Sequence, residues 1–318
     1  MWEQSPIPLP VDTSITGVLS RTFKIYGNHF LAFILLLVLV QTPITIIDTV
    51  LTNWQDQQQA ASGLQMPTLT PGSDMTPEEA QQVVAVLGQQ LGGMGIFFLV
   101  AIVAAYVVLV FVTAPLTYIA SESYQGRSAS LKEAFEVVGK KLKVLLGGYT
   151  LVGIIVLGLN IALGFILYAC GLGVGLAIYV GCAIGLFIVP IVIVEDRTIT
   201  DSLKRSWRLG KRRIWALVGI WLATLVVLYV LSLLIGAIGG LIASVLTGPI
   251  LPIACTLLYH DTRAKYEPEG VEIAADARLL ANDDILNLAI MCVGALVLLL
   301  VLGGLWLAAG GPALVGGL

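Results

Sequence analysis

Apolar residues run through this chain in seven long blocks, not in the alternating pattern of strands or the narrow stripes of soluble helices. The blocks extend from about His29 to Ile47, Ile96 to Ala120, Val144 to Leu167, Leu172 to Val194, Ile214 to Ile235, Leu241 to Tyr259 and Ile285 to Ala308, and none contains Lys, Arg, Asp or Glu. A hydrocarbon layer about 30 Å thick takes about 20 apolar residues in helical form. Each block therefore predicts a membrane-spanning helix, and the expected fold class is all-α integral membrane.

A second pattern lies between the blocks. Three amphipathic segments, ITGVLSRTFKIYGNHF, SASLKEAFEVVGKKLK and ITDSLKRSWRLGKRRI, each precede a pair of spans. They share a frame of Leu19, Phe23, Gly27; Leu131, Phe135, Gly139; and Leu203, Trp207, Gly210, the third one residue shorter. Large apolar residues four apart lie on one helical face, so each segment predicts a helix in the headgroup plane with its basic side toward phosphate or cytosol. The second span of each pair carries proline, at Pro115, Pro190 and the pair Pro249 and Pro252, where a missing N–H favours a kink. The pattern reads as three repeats of interfacial helix plus transmembrane hairpin, followed by a seventh transmembrane helix.

Loop charge orients this arrangement. All 17 Lys and Arg fall on one side of the predicted spans, whereas the long loop 48–95 carries Asp48, Asp56, Asp74, Glu78 and Glu79 and no basic residue. Basic loops stay cytoplasmic. The expected layout is a cytoplasmic N-terminus with its interfacial helix (1–28), a six-helix core (29–260) with outer loop 48–95 and inner loops 121–143 and 195–213, a cytoplasmic linker (261–284), the seventh helix (285–308) and an external tail (309–318). Residues 1–26 lack the basic start and cleavage site of a signal peptide, so the first span is expected to be retained. Within the outer loop a polar stretch rich in Gln, Pro and Thr reads as partly disordered, and Thr76-Pro77-Glu78-Glu79 as a helix start.

Composition agrees: 58% hydrophobic and 12% charged residues exceed what a water-facing surface tolerates. A formal net charge of −3 gives no reason to expect nucleic acid as a partner. The four cysteines lack metal-ligand spacing, His29 and His260 stand apart at the inner interface, and no metal or other cofactor is expected. No nucleophile elbow, H-E-x-x-H or phosphate loop occurs, and no ionisable residue sits near a bilayer midplane, so neither an enzyme nor an ion-coupled transporter is indicated.

Four features remain as candidate sites. Lys204, Arg205, Arg208, Lys211, Arg212 and Arg213 crowd one amphipathic helix; they suit anionic headgroups, although topology enforcement accounts for such charge equally. Gly171, Gly175, Gly181 and Gly185 give two GxxxG spacings suited to close helix packing, with a pore or slot as the alternative. Asn160 and Gln41 could line a polar path or bond between helices. At the exit of the sixth span, Tyr259, Asp261 and Arg263 suit an interface, with the Tyr259 hydroxyl among headgroups and Asp261 and Arg263 anchoring the helix end, or with Arg263 holding phosphate.

The string PILPIACTLLYHDTRAKYEPEG, with the opening SRTFKIYGNHF, resembles the bacterial membrane-protein family related to the membrane domain of glycerophosphoryl diester phosphodiesterases. The resemblance covers about residues 13–280. In that family a proline-bearing helix ends in a similar Leu-Tyr-x-Asp-x-Arg string followed by Glu-Gly; here Glu267-Pro268 intervenes before Glu269-Gly270, a seventh helix is added, and the 318 residues contain no counterpart of the catalytic barrel. The resemblance implies a multi-pass protein of the bacterial cytoplasmic membrane and gives little on activity.

The expected function is that of a non-catalytic accessory or scaffold component, contacting anionic inner-leaflet lipid and other membrane proteins or copies of itself. A lipid-handling or small-solute permease is the alternative, motivated by prolines in matching positions. A lipid-headgroup enzyme is the third, with Asp261, His260 and Glu195 as its acid–base candidates.

Overall fold

The structure is a computed structural model that describes residues 14–62, 77–162, 172–235, 239–267 and 283–294. These residues are helical almost throughout, and no strand occurs among them. In chain order the helices are α1 (Ile15–Asn28), α2 (Phe30–Ser62), α3 (Pro77–Val108), α4 (Ala114–Tyr124), α5 (Leu131–Ala162), α6 (Leu172–Val180), α7 (Leu186–Val194), α8 (Ile199–Lys211), α9 (Ile214–Ile235), α10 (Gly239–Thr247) and α11 (Ile250–Tyr266). Residues 283–294 form a further helical stretch.

Five helices are long and apolar enough to cross a membrane: Phe30–Gln58, Gly95–Tyr124, Leu131–Leu159, Ile214–Leu231 and Ile242–Tyr266. Ile178–Val194 is a shorter apolar helix. Leu31, Leu39, Leu222 and Leu234 are exposed on these rods, as lipid-facing side chains are. Most of the seventh block, the 309–318 tail, Thr76, Gly171, the Glu269-Gly270 pair, Trp306 and the side chain of Asn160 lie outside the described residues.

The helices at the loop 48–95 reach further than the apolar blocks do. Helix α2 continues to Ser62, and α3 starts at Pro77, where the helix-start signal sits. In α2 the hydroxyls of Thr45, Thr49 and Thr52 donate to the carbonyls of Gln41, Thr45 and Asp48 at 3.0, 2.8 and 2.9 Å. Polar side chains satisfied within their own helix let it extend through a Thr-rich sequence.

Each of the three amphipathic segments begins at a hydroxyl cap. Ser14 accepts from the Gly17 N–H at 3.1 Å and Thr198 from the Asp201 N–H at 3.3 Å. Ser130 and Glu133 form a reciprocal capping box, at 3.3 and 2.9 Å. The segments then differ. Helices α1 and α8 end before the following span, whereas the second segment runs without a break into α5, because no residue between Leu131 and Ala162 interrupts the helical ladder.

The prolines mark where helices change winding. A π turn, Leu109–Thr113, precedes Pro115, and another, Gly181–Gly185, precedes Pro190; before Pro252 the helix breaks at a turn through Gly248 and Pro249. Proline has no N–H for the carbonyl four residues back, and wider turns accommodate that loss. The segments beyond these breaks, α4, α7 and α11, contact one another pairwise and are mostly buried, so they form the centre of the bundle. Helices α1, α5 and α8 lie around them.

Helix α8 seats on the second π turn. The Ser206 hydroxyl donates to the Ile184 carbonyl at 2.7 Å, and a Cβ on Gly210 would lie 2.0 Å from the Ala183 oxygen. Gly175 is equally tight, since a Cβ there would lie 2.6 Å from the Cys292 Cα. Gly181 has open space beside it and Gly185 only ordinary contact with Val152. Of the GxxxG positions described, Gly175 alone marks a close approach, and its partner is the 283–294 stretch.

Candidate functional site

The basic end of the bundle is closed by a network of buried ion pairs, built on consecutive residues of α11. Tyr259 donates its hydroxyl to Glu195, His260 Nε2 lies 2.9 Å from the Ser121 Oγ, and Asp261 accepts from Arg21 of α1 with both carboxylate oxygens and from the Tyr124 hydroxyl at 3.1 Å. The Tyr124 ring stacks on His260 at 4.7 Å. Three successive side chains of α11 thus hold the loop after α7, helix α4 and helix α1.

Arg205 of α8 completes the network. Its Nε donates to Glu195 at 2.7 Å, and its Nη1 and Nη2 donate to the two oxygens of Glu267 at 2.9 and 2.6 Å. Its side chain is 2% exposed, as is that of Glu267. Arg197 also pairs with Glu195, and Arg263 lies 3.9 Å from Glu267. Burial pushes the Glu195 carboxyl up, but Arg205, the Tyr259 hydroxyl and Arg197 outweigh it and hold the group below its ordinary value. The same carboxylates hold the Arg205 guanidinium above its range against the opposing effect of burial. A further pair, Lys211 to Asp284 at 3.1 Å, ties α8 to the 283–294 stretch.

These positions correct the expected headgroup surface. Arg205 and Lys211 do not face lipid phosphate: both side chains are buried among carboxylates. Helix α8 carries basic residues nearly all round, and its buried face runs through Ser202, Ser206 and Gly210, small residues four apart that let it approach the centre. Lys204 and Arg212 are exposed and Arg208 is half-buried. Tyr259 and Asp261 are fully buried, so the Tyr259 hydroxyl lies inside the protein, away from headgroups, and Arg263 is partly exposed beside Glu267. His260, expected at the inner interface, is buried as well, and the Glu195 side chain is largely covered. Asp261 is held by Arg21 and Tyr124, His260 by Ser121 and the Tyr124 ring, and Glu195 by Tyr259, Arg197 and Arg205. Among the described residues no group of His, Cys, Asp and Glu is placed to hold a metal ion.

A second feature lies beyond this network, toward the opposite end. A cavity of about 600 Å³ is bounded by α2, α3, α5, α7 and the α10–α11 turn. It exists because its walls are built from small residues: Ala101, Ala104 and Ala105 on one face of α3, Gly185 before α7, and Gly248 at the break before α11. All three proline breaks border it, through Thr113, Pro190 and Pro252. Its floor includes Thr117 and Cys255, and its far end includes Gln41 and the exposed Asp48. Thr117 is 1% exposed, and its hydroxyl has no hydrogen-bond partner, an unusual state for a buried polar atom.

The sequence offered a signal for this cavity in the alanine spacing of i, i+3 and i+4, which marks a helix face with nothing large to fill the facing space. It offered none for the ion pairs, whose partners lie up to 240 residues apart.

The described residues form several helices long and apolar enough to cross a membrane, as in a multi-pass α-helical membrane protein. Comparison with family models, with curated proteins and with solved structures finds no match to this chain.

Proposed function

We propose that this chain is a non-catalytic protein of a bacterial cytoplasmic membrane that takes a small amphiphilic molecule into the cavity between its proline-broken helices, and so carries or passes it. The single observation behind this reading is the cavity itself, of ligand size and mostly apolar, with a few polar groups, at the point where three helices lose regular winding. Discontinuous helices at a binding site are a recurring feature of membrane carriers. The mutual contact of α4, α7 and α11 supports reading the core as three repeats around this site, and the Asp48 end as the outer one by loop charge. The resemblance to the membrane domain of glycerophosphoryl diester phosphodiesterases fits a lipid-related role.

Native mass spectrometry of the full chain, extracted in mild detergent, tests this. The expected result is one small amphiphile bound per chain, lost in Ala105→Leu, which fills the cavity from α3. Protein without such a ligand, together with proteoliposomes that move neither lipid nor small amphiphiles, would sink the reading.

An accessory role with anionic-lipid contacts is favoured by one observation, the exposure of both Lys204 and Arg212 on the basic end. Loss of anionic-lipid retention in a Lys204→Ala, Arg212→Ala variant, with a stoichiometric protein partner in the same spectrum, would move the assignment there.

A further inference from the structure

The charge of the cavity narrows its ligand, given the cavity reading above. Its walls supply Ala, Val, Leu, Ile and Pro side chains over most of their area. Among the described residues, the hydroxyls of Thr113, Thr117 and Tyr149 and the amide of Gln41 are its neutral polar groups, and Asp48, at the exposed rim, is the one charged residue of the lining. Among the described residues no Lys, Arg or His borders it; the basic side chains described above lie at the other end of the bundle.

An anionic amphiphile would therefore enter past a like charge and find no counter-charge within, in a setting where water cannot screen it well. A phospholipid phosphate or a fatty carboxylate is poorly served by such a lining. An ammonium group is well served: it rests at Asp48, where water still reaches it, while its apolar body displaces the void between Ala101, Ala104 and Ala105 and the facing turns. Thr117 supplies the second contact, because its unpaired hydroxyl can donate to a neutral oxygen on the inward end of the ligand. We infer that the cavity is a site for a small cationic amphiphile, with Asp48 reading its charge and Thr117 its inward polar atom.

The test uses three probes with one apolar body: radiolabelled adamantylmethylamine, adamantylmethanol and adamantanecarboxylate, bound at equilibrium to the full chain in discs of neutral phosphatidylcholine. The amine should bind best and the carboxylate least, with the amine favoured over the alcohol by about two- to fivefold, the scale of a partly solvated ion pair. Asp48→Asn should abolish the amine's advantage while keeping the alcohol's affinity. Thr117→Val, of similar size, should weaken the alcohol, and Ala105→Leu should remove saturable binding of all three. Binding of the carboxylate equal to the amine, or an amine preference that survives Asp48→Asn, overturns the charge assignment and leaves the cavity reading standing. Absence of saturable binding by every probe, or binding indifferent to Ala105→Leu, overturns both.

Discussion

Arg205 and Glu267 meet through two parallel N–H to oxygen bonds, at 2.9 and 2.6 Å, inside the basic end of the bundle. Two parallel bonds fix the angle between α8 and the end of α11 as well as their distance. Because Arg205 also holds Glu195, removing its charge leaves two buried carboxylates short of a partner. Breaking a buried pair from one side costs about 3–5 kcal/mol. Arg205→Met should accordingly lower the thermal midpoint of the detergent-purified protein far more than Lys204→Met, one position away and exposed. Similar midpoints for the two variants would contradict the network. Arg205→Lys should fall between them, since a lysine keeps charge and loses the fork.

The pH dependence follows from Glu195. Its folded-state pKa is depressed below the ordinary value of 4.5, so its ion pairs contribute stability that is fully present above pH 4.5 and lost as pH falls through the lower folded value. Thermal stability should decline on acidification below about pH 4.5, and Glu195→Gln should flatten part of that decline. A profile of unchanged shape in the variant would show that other carboxylates govern the acid limb.

The aligned glycines of the three amphipathic segments should behave differently from one another. A Cβ on Gly27 or Gly139 meets nothing within 4 Å, whereas one on Gly210 would strike the backbone of the second π turn at 2.0 Å. Gly27→Ala and Gly139→Ala should be neutral or stabilise by up to about 1 kcal/mol through helix propensity. Gly210→Ala forces α8 off its seat and should cost at least the 1–3 kcal/mol or so of an overpacked core. Expression and monodispersity of the three variants, compared side by side, check this; equal behaviour would mean that α8 is free to shift.

Periodicity made the helices legible, and the reasons are local. Uninterrupted apolar runs, hydroxyl caps such as Thr198 and prolines such as Pro190 act through residues within a turn or two of themselves. What periodicity could not show is which side of a basic helix turns inward. In α8 the frame of Leu203 and Trp207 predicts a stripe turned toward the bilayer; both lie against the protein instead, and Ser206 and Gly210 set the depth of approach and carry Arg205 in with them. Whether a guanidinium can be buried depends on carboxylates elsewhere, and Glu267 stands 62 residues away. The string around Tyr259 and Asp261 reads as interfacial in the sequence, because its buried partners, Glu195, Ser121 and Arg21, come from three distant segments.

The 283–294 stretch supplies the last prediction. Asp284, Asn287, Leu288, Met291 and Cys292 recur at helical spacing on one face, and that face meets the bundle: Lys211 donates to Asp284 at 3.1 Å, Trp215 to Asn287 at 2.8 Å, Leu288 and Met291 join the core, and Gly175 admits Cys292. Apolar contact and the Gly175 slot hold the stretch along most of its length, so the ion pair sets register more than affinity. Desolvation offsets most of the attraction within a buried pair, and well-packed apolar replacements of both members are often neutral or better. Lys211→Met alone and Asp284→Leu alone should each destabilise by up to about 3–5 kcal/mol, because each takes an ion-pair partner from a buried charge. The double variant should recover most of the wild-type midpoint. Single variants whose losses simply add in the double would show that the two groups do not interact, and would detach this stretch from α8.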